Sequence, residues 1–142
     1  MTTIYTKLAA DGTDLPADAT GHLAVRVENP LLARPFIVTA MKAPTAMTHK
    51  QAKKWAESLD IYGWSWRLPA EEGLFIPDRF KFPATPKAYF PDLEEYEYIW
   101  LDMVDAESPS DYAWFVALRN GYVGRYDQTS HAFVRAVRAG QP

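Results

Sequence analysis

The chain has 142 residues, a formal net charge of −3, 48% hydrophobic and 14% aromatic residues, and no Cys. At that length one domain buries a core without disulfides or metal, and the lack of thiols excludes a Cys nucleophile, a Cys-ligated zinc site and a disulfide framework. A pI near 5.6, with no basic stripe interleaved with aromatics, argues against nucleic acid as a partner.

The N-terminus, Met1 to Lys7, lacks a basic region followed by an apolar core, and no apolar run is long enough to span a bilayer. Cytoplasmic synthesis without a membrane segment is expected, with a place in a virion left open. Residues 1–142 are expected to form one domain, in which 1–46 is a β-rich part.

In chain order, Ile4, Tyr5 and Leu8 point to a first strand, and Asp11 to Pro16 is a turn cluster. From His22 to Glu28 the sequence alternates, with Leu23, Val25 and Val27 on one face. Phe36 to Met41 is a second β-branched run, closed before Pro44. Thr48 followed by Gln51 has capping-box spacing, and Ala52, Trp55, Ala56 and Leu59 form one helical stripe. His49, in the first turn of that helix, is expected in solvent, as is His131 in a polar turn.

Gly63 breaks the helix before Trp64-Ser65-Trp66-Arg67-Leu68-Pro69. Two indoles, a guanidinium and a Pro within six residues bury a large apolar area and give one charge a fixed position. We read this segment, with Trp55, Trp100, Trp114 and Arg135, as the structural hub. Arg67 and Arg135 are expected to stack on Trp or to pair with carboxylates inside the domain. Ala70 to Ile76 holds a helical turn or two, limited by Gly73 and Pro77.

Residues 77–95 carry four Pro with aromatics between them. This predicts a long irregular segment packed by Phe80, Phe82, Tyr89 and Phe90, a length that often carries function. Tyr96 to Leu101 returns to strand character, and Tyr112 to Leu118 alternates. Asn120-Gly121 signals a two-residue hairpin in which both positions tolerate positive φ. Phe133 to Arg138 reads as the last strand.

All Lys and Arg lie outside the interval between Lys87 and Arg119, which holds Asp92, Glu94, Glu95, Glu97, Asp102, Asp105, Glu107 and Asp111. A one-signed segment steers a basic partner or forms a solvated loop. Asp102, Asp105 and Glu107 are oxygen ligands at spacing suited to calcium, but an exposed acidic loop is the simpler reading, and no metal or cofactor is assigned. The three His lie far apart, none at ligand spacing, so no catalytic constellation is assigned either.

The ordered set Trp55-Ala56, Leu59, Tyr62-Gly63-Trp64-Ser65-Trp66-Arg67-Leu68-Pro69, Tyr89-Phe90-Pro91, Tyr98-Ile99-Trp100, Ala113-Trp114-Phe115-Val116, Gly121-Tyr122-Val123 and Val134-Arg135-Ala136-Val137-Arg138 resembles the C-terminal domain family of collagen-like adhesins. That family is widespread in bacteria and phage genomes. The resemblance covers roughly 47–138. Two departures from its pattern are Trp100-Leu101-Asp102, where Trp-Ser-Ser/Thr is usual, and Glu72-Gly73-Leu74, where Glu-Leu is preferred after the Pro.

The resemblance implies an α+β, C-type-lectin-like domain with one or two helices, a small antiparallel sheet and a long loop region. Formylglycine-generating enzymes and iron-dependent sulfoxide synthases are similar in fold, but this chain lacks their Cys pair and His-rich site. It also lacks the Glu-Pro-Asn and Trp-Asn-Asp motifs of calcium-dependent sugar-binding lectins.

The function expected is a non-enzymatic binding module, phage or prophage encoded. It would recognise a protein (a host protein or virion component) or a surface ligand through residues 77–112, with carbohydrate left open. The candidate contacts are Tyr89, Phe90, Glu94, Glu95, Tyr96, Glu97, Asp102, Asp105 and Glu107. The alternative is an intracellular antagonist that blocks a host defence or nucleic-acid-binding protein through its acidic 92–111 segment.

Overall fold

A computed structural model describes residues 3–78, 81 and 84–139. Two antiparallel sheets and one α-helix make an α+β fold. The first sheet has the order β2-β1-β3-β4-β8, from β1 (Ile4–Leu8), β2 (Asp14–Leu15), β3 (Ala24–Glu28), β4 (Phe36–Thr39) and β8 (Val137–Ala139). The second has the order β5-β6-β7, from β5 (Tyr98–Val104), β6 (Tyr112–Ala117) and β7 (Val123–Asp127).

The strand period of two places Val25, Val27, Phe36 and Val38 on one face of the first sheet. They pack in one core cluster with Ile99, Leu101, Val116 and Leu118 from the inner face of the second sheet. Leu8, Ala24 and Ile37 belong to a second cluster, with the helix, Trp66, Leu68 and Trp100. Both faces of β3 and β4 are thus covered, so Ala24, on the side opposite the predicted stripe, is fully buried, while Leu23 is exposed.

The helix α1 (His49–Ser58) starts where the sequence places it. The Thr48 side chain accepts from the Gln51 N–H, and the Gln51 side chain accepts from the Thr48 N–H. Ala52 and Ala56 are buried, and Trp55 and Leu59 pack half-buried against the same cluster. His49, expected in solvent, is a correction: it is 3% exposed, donates from Nε2 to the Leu101 carbonyl at 2.9 Å and lies edge-on to Trp100. The hydrogen bond fixes the ring on β5. Burial pushes its pKa below the usual value, against the pull of that carbonyl.

Because the folded His49 resists protonation, its contribution to stability is present above pH ~6.5 and is lost as pH falls below it. Thermal melts at pH 7.5 and 5.5 check this: the wild type is expected to lose more Tm over that interval than His49→Gln does.

The Trp-rich segment is tied to several elements of the fold. Arg67 and Val137 exchange backbone hydrogen bonds at 3.0 and 2.8 Å, which ties the segment to β8. Trp66 is buried and donates from Nε1 to the Ile61 carbonyl at 3.1 Å. Tyr62, at φ 60°, and Gly63, at φ 67°, reverse the chain into the hub, and the Tyr62 hydroxyl donates to the Ala9 carbonyl at 2.7 Å. Trp64 is half-buried under Arg138, 4.1 Å from its ring. Leu68 and Pro69 are buried, and the Pro69 carbonyl accepts from the Asp102 N–H at 2.7 Å, beside an irregularity in the β5–β6 register. Arg67 pairs with Glu72, and Trp114 is half-buried against the core between the sheets.

The segment after Pro69 is a 3-10 turn, Glu71–Phe75. A Cβ on Gly73 would stand 2.3 Å from Leu101 Cδ2, so one departure from the family pattern has a packing cause. Gly73→Ala is expected to cost about 1–3 kcal/mol by overpacking, read as a lower urea midpoint.

Two expectations about strands differ. The β6–β7 connection is longer than a two-residue turn: Ala117 N–H bonds the Tyr122 carbonyl, Gly121 N–H bonds the Ala117 carbonyl, and Gly121 alone there has positive φ, 77°. The last strand covers only Val137–Ala139. Before it, Ala132 and Phe133 form isolated bridges to Met47 and Ile99, and Arg135 turns into the interior.

Candidate functional site

The segment expected to carry recognition is largely internal. Phe90 is fully buried, and Tyr89 is half-buried beside Tyr5, with ring centroids 5.4 Å apart. The Tyr89 carbonyl accepts from His22 Nε2 at 2.7 Å. Thr85 donates its hydroxyl to the Leu118 carbonyl at 2.6 Å, and Ala84 N–H bonds the Arg119 carbonyl, which ties this segment to the β6–β7 turn. The expected packing by Phe80 and Phe82 lies outside the described residues.

Arg135 explains why the chain folds this way here. Its guanidinium is completely buried and lies 5.2 Å from the Phe90 ring centroid. Nε and Nη2 donate to the two oxygens of Glu97 at 2.6 and 3.0 Å. Nη2 also reaches Asp92 at 2.8 Å, and Nη1 the Ala40 carbonyl at 2.7 Å. Burial pushes the Asp92 carboxyl up, but Arg135, the Lys42 N–H and the Lys42 charge together hold it below the usual carboxylate value.

Glu97 is therefore a correction: it is 0% exposed and serves the fold. Asp105 is another, since it is buried and bonded to Arg125 at 2.5 Å, which lowers its pKa. The remaining acids are more open. Glu94 lies 3.6 Å from Lys42, Glu95 3.8 Å from Arg119 and Asp102 3.6 Å from Lys53. Glu107 is exposed, and its N–H donates to Asp105 Oδ1. Six of the eight acids of the interval thus meet a Lys or Arg from outside it. Glu107 and Asp111 make no ion pair among the described residues. The one-signed run of the sequence is a set of cross-chain pairs in three dimensions.

What stands open is aromatic. Register places Trp100, Phe115 and Gly124 side by side across β5, β6 and β7. Tyr98, Tyr122 and Tyr126 therefore share the outer face of that sheet with them. The helix end covers Trp100, whose Nε1 donates to the Met47 carbonyl at 2.8 Å. Tyr98 and Tyr126 flank Phe115 at 5.1 and 5.8 Å between centroids, with Tyr122 at 6.2 Å. Gly124 leaves room for these rings: a Cβ there would lie 2.9 Å from Phe115 and 3.0 Å from Tyr122.

Beside this face, Tyr96, Tyr98 and Tyr122 line a groove of about 330 Å³, with Ala117 at its base and Glu95, Arg119 and Asn120 on its rim. Tyr96 and Tyr122 are 61% and 62% exposed and Tyr98 is 40% exposed. The Arg119 guanidinium lies 5.2 Å from the Tyr96 ring centroid. Asn120 Oδ1 accepts from the Tyr122 N–H at 3.0 Å, which steadies the turn that carries Tyr122.

Of the residues expected to make contact, only Glu95 and Tyr96 border this groove. Tyr122, Arg119 and Asn120 were missed. The pattern Tyr122-Gly124-Tyr126 after an Asn-Gly signal marks one aromatic face of a return strand, and that signal was available in the sequence.

Among the described residues no group of three or more His, Asp or Glu is placed to hold a metal ion, and no helix is long and apolar enough to cross a membrane. Asp102 and Asp105, weighed above as calcium ligands, face Lys53 and Arg125 instead. No curated protein matches the chain. The family model described as the Lcl C-terminal domain matches residues 26–138, beginning within β3 and ending within β8, and so takes in the second sheet, the helix, the hub and the groove, while β1 and β2 of the first sheet lie outside it. On that match over most of its length, the chain belongs to the Lcl C-terminal domain family.

Proposed function

We propose that the chain is a non-enzymatic, adhesin-like binding module whose recognition surface is the tyrosine groove between the start of β5 and the β6–β7 turn. The observation that carries this is the exposure of Tyr96, Tyr98 and Tyr122 around one groove. Large rings left in solvent beside polar groups are the composition of ligand and partner sites. The sheet holds Tyr98 and a hydrogen-bonded turn holds Tyr122, so little conformational freedom is lost on binding.

The reading includes one C-type-lectin-like domain. The presence of β1 and β8 in a single sheet supports this, because it brings the two ends of the chain to one structural unit. A phage or prophage origin rests on the sequence resemblance alone.

The test is retention of components from host-cell extract on the immobilised chain, at low and high salt, for wild type and for Tyr96→Ala/Tyr122→Ala. A component held at both salt levels by the wild type, and at least about tenfold less by the double variant, is expected. Equal retention by the variant, or retention that high salt abolishes, would contradict the reading and favour a charge-driven surface instead.

A further inference from the structure

We infer that the groove takes a proline-rich peptide segment in the polyproline II conformation, with Pro rings set against Tyr98 and Tyr122 and carbonyls bonded by Arg119 and Asn120. This rests on the recognition surface proposed above and names its class of partner.

The backbone around the groove is already committed. On the edge of β5 away from β6, the Tyr98 carbonyl accepts from the Phe133 N–H at 2.9 Å, and the Trp100 N–H donates to the Phe133 carbonyl at 3.2 Å. On the other side, the Glu97 carbonyl accepts from the Leu118 N–H at 3.0 Å, and the Tyr122 carbonyl from the Ala117 N–H at 2.8 Å. A partner strand therefore finds no ladder to extend here. A polyproline II segment needs none: it has no internal hydrogen bonds, and each Pro lacks the N–H that a sheet edge would have to satisfy.

The dimensions agree. Tyr98 is in register with Ala117, which faces Tyr122 across the turn. The two tyrosines thus stand two strand spacings apart, about 9.5 Å. A helix, about 10–12 Å across with its side chains, does not enter between them. One turn of polyproline II, three residues, advances about 9 Å. Pro rings at i and i+3 of a segment laid across the strands therefore meet Tyr98 and Tyr122 in turn. Between them lies Ala117, buried and small, which leaves room for the residues of the same turn.

The rim chemistry agrees as well. A proline-rich segment is rich in acceptors and poor in donors. The Arg119 guanidinium is donor-only, and Asn120, whose oxygen is held by the Tyr122 N–H at 3.0 Å, presents its amide N–H groups. Glu95, the carboxylate on the rim, stands 3.8 Å from Arg119, so the pair is balanced and favours a segment without net charge. A cation would meet Arg119 at the Tyr96 ring, 5.2 Å from its centroid. Pro ring C–H groups instead pack on the negative faces of the tyrosines.

The probes are three capped, uncharged peptides about twelve residues long: one with Pro at every third position among Ala, one with Pro at every second position, and a Gly-Ser control. Binding is read by proton–nitrogen correlation NMR of the full chain, titrated to about 10 mM, past a dissociation constant on the order of 1 mM. The expected result is saturable shifts at Tyr98, Arg119, Asn120 and Tyr122, unchanged at high salt. The every-third peptide should bind at least about threefold tighter than the every-second one, and the control should not saturate. Tyr122→Ala, shown to melt like the wild type, should weaken binding about tenfold, and Tyr122→Phe, which keeps the ring, should retain most of it.

Absence of saturable shifts with both Pro peptides overturns the proposal, as does equal binding of the control, an equal or better fit of the every-second peptide, or mapping of the shifts elsewhere. If extract retention is still lost in Tyr96→Ala/Tyr122→Ala while both Pro peptides fail, the recognition surface stands and only its assignment to polyproline II falls.

Discussion

Arg135→Met is expected to destabilise the chain by about 3–5 kcal/mol, out of a total that for a domain of this size is about 5–15 kcal/mol. The physical reason is what the substitution leaves behind. Glu97 is completely buried, and its two oxygens depend on Arg135 for hydrogen bonds at 2.6 and 3.0 Å. Removing the guanidinium leaves a buried carboxylate with no opposite charge and only the Glu94 N–H, at 3.3 Å, to bond it, and also unties Asp92 and the Ala40 carbonyl. Arg135→Lys should rescue little, because an ammonium cannot reproduce the planar fork that engages four oxygens at once. Arg135→Met/Glu97→Gln should be more stable than Arg135→Met alone, since the stranded charge is gone. Urea unfolding of the three variants checks this; a loss under about 1 kcal/mol for Arg135→Met would mean that the cluster is not what fixes the 90–97 segment.

Phe90→Ala is expected to cost about 3–5 kcal/mol, with no direct effect on ligand contact. The ring is 0% exposed, stands edge-on to Tyr5 at 6.3 Å and underlies the Arg135 guanidinium. Truncation leaves a cavity between the irregular segment and the first sheet. It also removes the aromatic face that the buried cation uses. The discriminating observation is a lowered urea midpoint together with unchanged ligand retention below that midpoint. A stable Phe90→Ala that has lost its ligand would return the residue to the recognition surface.

Much of the scaffold was legible because its signals are local. Thr48 and Gln51 announce the start of the helix, and the Ala52–Leu59 stripe its buried side. Trp66, Leu68 and Pro69 of the Trp-rich segment are buried, and Arg135 pairs with Glu97 inside the fold. What was not legible is non-local. Glu97 and Arg135 are 38 residues apart, and nothing near Glu97 separates it from its exposed neighbours Glu94 and Glu95. His49 looks like any first-turn histidine until β5 supplies the Leu101 carbonyl. The last strand reads as continuous because Arg135 leaves no local trace of turning inward. In the groove, the alternation Tyr122-Gly124-Tyr126 was readable, whereas its juxtaposition with Tyr96 and Tyr98 depends on the register of three strands.

The same cross-chain pairing changes how a charge experiment is designed. Reversing Glu94, Glu95 and Glu97 together would place a Lys against buried Arg135 and unfold the chain, whatever the ligand. Glu94 and Glu107, both exposed and outside the groove, can be reversed with the fold intact. The most direct measurement is therefore ligand retention by Glu94→Lys/Glu107→Lys beside Tyr96→Ala/Tyr122→Ala, with both variants first shown to melt like the wild type. Retention by the charge-reversed pair and loss by the tyrosine pair is the predicted result. Loss by the charge-reversed pair with retention by the tyrosine pair would contradict the account and move recognition to the acidic surface.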